Sequence, residues 1–509
     1  MKTSISFKIL LMALACSLVS CDDFLTQVPE TGIPESQAMT DLESAEEVVI
    51  GVYSSLKNSA LYSGTLTQVP DVQSDLCYAA VGFSNQYGPF HRWEQDPNTT
   101  ELLSMYSGLY EIIARCNFFM DHAEQVRATL RNESERKTMD KYEGDVHFMR
   151  AMAYSDLIRL FCTAYDPATA ESALGVPLYL HYREGDGSTV IKPRATLQQS
   201  YAQVLADLDA AESLVTRNGS DTPFVTIGAV YALKARIYLM MCNWQQAVDY
   251  ATKVIDLKSG SAQVYELASV GTYKSTGSGV ITEYQAMWEY DTADEIILKV
   301  AFTTDDRGGS LGRLFMNLTG GYYAPQYIPA RWLINSYTAS DGRYSAFFTT
   351  ATTTMGVTTS VFVKYPGNPD IDGSAGPYYV NMPKLLRLGE TYLIRAEAYC
   401  MMGETAKANK DLTTLLKSRI TSYGAASYEQ SKLLAAIQTE RAKELVLEGF
   451  RLSDLKRWKL GFERQPQTGA LEGERYTSLK IQGTDKRFTW PIPQHEITAS
   501  QGQVIQNEQ

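Results

Sequence analysis

Five histidines, His91, His122, His147, His181 and His495, are the side chains of this sequence best suited to proton transfer or metal binding near neutral pH. None stands in an HExxH pattern or at ligand spacing from another, so no zinc centre is readable. A phosphate loop and a dinucleotide-binding glycine pattern are also missing from the sequence. The 58 acidic residues leave a carboxylate pair of the glycosidase kind as the alternative to binding without catalysis. Asn368, Asp370, Asp372 and Gly373 fit the opening of a calcium loop, but Tyr379 stands where the bidentate Glu belongs and Pro369 interrupts it. That segment reads as a Gly-rich surface turn.

Chemistry of another kind is expected at the N-terminus. Lys2 and Lys8 precede an apolar run, Ile9 to Val19, too short to span a bilayer. It ends in Leu18-Val19-Ser20-Cys21, the pattern of a bacterial lipobox, which predicts cleavage before Cys21 and acylation of that residue. Removing residues 1–20 takes out two lysines and no acids, so the net charge goes from −12 to −14. Such a charge disfavours nucleic-acid binding, which needs a basic surface. With 44% apolar and 20% charged residues the chain is neither disordered nor a polytopic membrane protein. The most apolar later run, Val225 to Met241, is broken by Lys234 and Arg236. Cys77, Cys116, Cys162, Cys242 and Cys400 include no CxxC and give no disulfide framework; Cys162, Cys242 and Cys400 fall in apolar helical stretches, as buried thiols do.

Helices must position whatever the chain binds. Helical periodicity marks Leu102 to Ala123, Glu135 to Phe161, Thr196 to Val215 after Pro193, two helices in Ile227 to Leu257 broken near Asn243, a pair in Leu385 to Ile420 turned at Gly403, and a last helix from Leu433. Residues 259–376 are rich in Gly, Thr, Ser and Tyr, with short β-like runs such as Ile296 to Phe302. A basic-Ala-x-x-Tyr pattern recurs at Arg150–Tyr154, Lys234–Tyr238 and Arg395–Tyr399. In the last two copies a further alanine, Ala247 or Ala408, follows a turn. Small residues at those places let antiparallel helices approach closely, the logic of tetratricopeptide repeats with their period of about 34 residues. The first copy has no immediate partner, since 163–191 intervenes.

Together these features resemble the SusD/RagB-like family of Bacteroidetes outer-membrane lipoproteins. The likeness runs from Cys21-Asp-Asp-Phe-Leu25 through Gly51-Val-Tyr53, Asp71, Asp75, Trp93, Arg115-Cys-Asn117 and Phe148–Tyr154 to Gly175-Val-Pro-Leu178. Its most specific part is C-terminal: Arg395–Tyr399, Glu440–Leu445, Glu448-Gly-Phe-Arg451, Asp454–Trp458, Trp490-Pro-Ile-Pro493 and Gln506-Asn507. Leu452 and 499–501 depart from the family pattern at places that concern packing. The resemblance implies a mainly α fold of tetratricopeptide-like helix pairs, carrying a loop-rich mixed region with short β-strands. It implies a signal peptide over 1–20, a lipidated tether over 21–40 and a single domain over 41–509, with 259–376 facing the ligand. The implied function is non-catalytic and without cofactor: a surface lipoprotein that delivers oligosaccharides to a SusC-like TonB-dependent transporter, or, as a RagB-like alternative, peptides.

Tyr is the dominant aromatic, 32 residues against 17 Phe and 6 Trp. Sugars bind by laying C–H faces on rings while polar groups take the hydroxyls, and tyrosine supplies both. Two dense clusters fall in loops: Phe83, Tyr87, Phe90 and Trp93, then Tyr322, Tyr323 and Tyr327 after Gly320-Gly321. By likeness to family loops they are expected to hold the ligand, with Asn85 and Arg92 as polar contacts and a helix over Ile328 to Tyr337 behind the second cluster.

Overall fold

Side-chain caps decide where the long helices begin. In a computed structural model that describes residues 34–182, 191–277, 279–372, 378–471 and 479–508, Asp41 accepts the Ser44 N–H at 2.9 Å and opens α1, Leu42–Ser55. α2 is Thr65–Gln73 and α3 Thr100–Arg127. Asn132 caps α4, Glu133–Phe161, and a reciprocal Thr196–Gln199 box opens α5, Leu197–Leu214. α6, Ile227–Met240, and α7, Trp244–Ile255, turn at Asn243. α8, Leu388–Met401, and α9, Thr405–Arg419, turn at Gly403, whose φ of 78° is the left-handed conformation glycine accepts without strain. α10, Gln430–Glu444, and α11, Arg451–Trp458, complete the helical half. Among the described residues no helix is long and apolar enough to cross a membrane. The leader, Cys21 and Gly373 lie outside the described residues. Met39 is fully buried, so the end of segment 21–40 is docked on the body and is not part of a free tether.

The repeat is a packing device with a charged latch. Ala235 and Ala247, like Ala396 and Ala408, are fully buried, and Ala235, Ala247, Ile394 and Ala398 share one core where the two hairpins meet. Each basic residue of the pattern reaches across to a neighbouring helix. Arg395 forks onto Asp411 at 2.8 and 2.7 Å, Arg150 onto Asp207 at 2.9 and 2.6 Å, and Lys234 pairs with Asp209 and Glu212. The first copy therefore has a partner after all: α5 returns onto α4 once the chain has passed through the intervening segment.

Among the described residues the strands form short pairs, and those that build the face and its support are β1, Cys77–Ala79, β2, Ile296–Lys299, β3, Leu318–Thr319, β4, Tyr322–Tyr323, β5, Tyr327–Pro329, β6, Phe348–Thr352, β7, Thr358–Phe362, and β8, Lys384–Arg387. All these pairs are antiparallel: β1 with β5, β2 with β8, β3 with β4, and β6 with β7. Ile328 and Pro329 are strand, and the helix behind them is only Arg331–Asn335; Pro329 is compatible with an edge strand and not with the interior of the longer helix expected.

Buried charge welds the two halves together. The fully buried Glu444 at the end of α10 accepts hydrogen bonds from Arg343, Arg387 and Arg419 at 2.8, 2.6 and 2.9 Å. Burial alone raises its pKa, but the three guanidinium groups overcome that and hold it well below the usual carboxylate range. Asp71 of α2 accepts the Gly449 and Arg451 N–H groups, and Asp75 takes the Arg451 guanidinium at 2.8 Å twice. The Glu440–Arg451 stretch is thus structural.

Candidate ligand-binding face

Two loops more than two hundred residues apart become neighbours because β1 pairs with β5, with Ala79 opposite Tyr327 and Cys77 opposite Pro329. The loop after β1 is sewn to the segment before β5: the Ser84 N–H and hydroxyl both donate to Gln326 Oε1, at 2.8 and 2.7 Å. Phe83 packs on Tyr327 with centroids 5.3 Å apart. β3 and β4 form a hairpin whose turn, Gly320-Gly321, has φ of 58° and 84°, the double positive φ of a type I′ turn that glycine accepts without strain. β4 continues onto the β6–β7 hairpin, where the Thr354 N–H donates to Tyr323 O at 2.8 Å. That hairpin's tip comes back to the first loop: a Cβ on Gly82 would stand 2.7 Å from Met355 Cγ.

The expected site residues separate into two groups. Tyr322 is 54% exposed, Asn85 is exposed, and Phe83, Tyr87, Tyr323 and Arg92 are half-buried on this surface. Tyr87 has a φ of 56°, strained for a bulky residue, and its hydroxyl sits 3.2 Å from Thr65 Oγ1 and 3.3 Å from Gln68 Oε1. Asn85 Oδ1 accepts from Arg92 at 2.6 Å, and Arg92 also pairs with Glu94 at 2.6 Å, so the two polar candidates stiffen one another. The Asn85–Arg92 contact passes over Gly88, where a Cβ would lie 2.0 Å from Asn85 Oδ1.

Phe90, Trp93 and Tyr327 belong to the interior, which corrects their expected role as contacts. Phe90 packs on Trp490 with centroids 5.3 Å apart. Trp93 donates its indole N–H to Gln73 O at 2.8 Å and meets Phe488 edge-on at 4.7 Å. Tyr327 donates its hydroxyl to Gln86 O at 2.5 Å. These three rings hold the face from behind.

Residues that composition did not single out complete the surface. Leu318 and Met355 are 46% and 55% exposed beside the tyrosines, and the Tyr379 hydroxyl accepts the Leu318 N–H at 2.8 Å. The Gly356 turn between two threonine-rich runs was the available signal for Met355. The calcium-loop pattern is spent on the backbone instead: Asp372 accepts the N–H groups of Tyr378, Tyr379 and Val380, and Asn368 Nδ2 donates to Asp291. Among the described residues no group of His, Cys, Asp and Glu can hold a metal ion. The five described cysteines are unbridged, four buried and Cys242 half-buried.

What this face offers is ring surface, exposed threonine hydroxyls and a few polar side chains. It suits the binding of an extended ligand with apolar faces and hydroxyl edges. Residues 189–509 match the family described as "SusD family", and residues 23–239 match that described as "Starch-binding associating with outer membrane". A SusD-like protein of Formosa agariphila is 22% identical over 545 residues, covering 96% of each chain. A SusD superfamily protein from Bacteroides thetaiotaomicron has the same fold, with a TM-score of 0.77 at 24% identity over 92% of this chain and 100% of its own. A laminarin-binding SusD-like protein superposes with a TM-score of 0.67 at 20% identity, covering 92% and 99%. With the first match spanning more than half of the sequence, the chain belongs to the SusD family.

Proposed function

We propose that this chain is a non-catalytic, outer-membrane lipoprotein that binds oligosaccharides on the Tyr322 face and passes them to a SusC-like TonB-dependent transporter. The observation that carries the reading is the joining of three distant segments into one solvent-facing aromatic surface, with a buried second rank of rings fixing it in place. Family membership, the outer-membrane wording of the second family match and the laminarin-binding neighbour support a sugar as ligand. Anchoring rests on the Cys21 lipobox, and the transporter partner on resemblance to the family. The test is a combined glycan and peptide array on the mature protein, followed by calorimetry. A glycan is expected to bind, and Tyr322→Ala with Tyr323→Ala should abolish that binding without a change in Tm. Retention of peptides alone would replace the sugar by the RagB-like alternative.

A further inference from the structure

The three segments of the face, 82–92, 313–327 and 348–363, contain no Asp or Glu, in a sequence with 58 acidic residues among 509. An acidic ligand therefore meets no like charge from the segments that form the platform. Their cations are unequally used. Arg92 is engaged by Glu94 and Asn85. Arg313 is exposed, opens the helical turn Arg313–Met316 that runs into β3, and makes no ion pair among the described residues. Tyr379 ties the place of Arg313 to the hairpin: its carbonyl accepts the Gly312 N–H at 3.4 Å and its hydroxyl accepts the Leu318 N–H at 2.8 Å. Both contacts come from a residue held at φ 60°, a backbone conformation that costs energy for a bulky side chain. The carboxylate of Asp372 on this side is turned onto three backbone N–H groups.

An unpaired guanidinium beside a ring platform offers a planar fork for a carboxylate or sulfate, while a neutral sugar gains nothing from its charge. Resting on the glycan-binding reading, we propose that the ligand of this face is an anionic oligosaccharide and that Arg313 is the residue selecting for its charge. In a chain of net charge −12, this local cation is also what lets an acidic polymer approach.

The test uses the mature protein and three probes of matched length: a neutral gluco-oligosaccharide, an oligouronate and a sulfated oligosaccharide, at low and high salt. At low salt the charged probe should bind about fivefold more tightly than the neutral one, and salt should erase the advantage. Arg313→Gln should remove that advantage while leaving neutral binding unchanged, and the two charged arms tell carboxylate from sulfate. Equal binding of all three probes, or a charge preference that survives Arg313→Gln, overturns the proposal and leaves the glycan reading standing. If none of the three probes binds and Tyr322→Ala with Tyr323→Ala changes no ligand found on the array, the underlying reading fails and this proposal falls with it.

Discussion

Tyr322 and Phe90 are both aromatic residues in Gly-rich loops, yet only one can touch a ligand. The difference lies outside their local sequence. Phe90 is buried because Trp490, four hundred residues away, lies against it, whereas Tyr322 sits exposed on a two-residue strand. Tyr322→Ala alone should therefore weaken glycan binding by about 1–2 kcal/mol and leave Tm unchanged, because an exposed ring contributes little to packing; calorimetry and thermal melts check both halves. Burial raises Asp71 to about 7 even though the Arg451 and Gly449 N–H groups oppose the shift. Since that lies above the unfolded carboxylate range, folding favours the protonated form, and the stability it contributes is complete below about pH 4 and lost as pH rises through 7. In urea titrations across this window, wild type should lose about 4 kcal/mol relative to Asp71→Asn. A constant difference would show that Asp71 does not titrate there.

At the scale of elements, the long helices were legible, and so was the apolar run that forms β2 from Ile296, but the strands of the face were not. α6 and α7 carry their own caps, α6 is apolar nearly all round and α7 has a periodic apolar stripe, so the turn at Asn243 and both helices fall where the residues put them. β3 and β4 are two residues each, too short for any period; they pair with each other across Gly320-Gly321, while β5 just after them pairs with β1 far back in the chain. The latch residues had the same ambiguity: Arg150, Lys234 and Arg395 were visible as a repeat, but their acidic partners sit on other helices. Ala396 packs among Leu393, Leu412, Leu433 and Ile437 where α8, α9 and α10 meet, so Ala396→Leu should overpack that junction and cost about 1–3 kcal/mol in chemical denaturation. Glu444→Gln would leave three buried guanidinium groups short of a counter-charge; a loss of about 3–5 kcal/mol is expected, seen as a drop in Tm of the whole chain and not of one half. Separate melting of the two halves would contradict the role given to the buried charge.

As a whole molecule, the chain is a helical scaffold that carries a loop-built face. Composition and repeat spacing were sufficient for the scaffold, since helix pairs announce themselves locally. The face was legible only as a density of rings, because the order of the loops in space is set by pairings the residues do not encode nearby. Cys21→Ala should release a folded, soluble protein from the membrane fraction, and persistent membrane association would remove the lipid from the account. Ligand is expected to lie across the surface joining 82–87, 318–323 and 353–357. A crystal structure of the mature protein with its tightest glycan tests it most directly. Sugar density stacked on Tyr322 and reaching toward Tyr87 is the predicted result. Well-ordered sugar bound elsewhere, with Tyr322 left facing solvent, would contradict it.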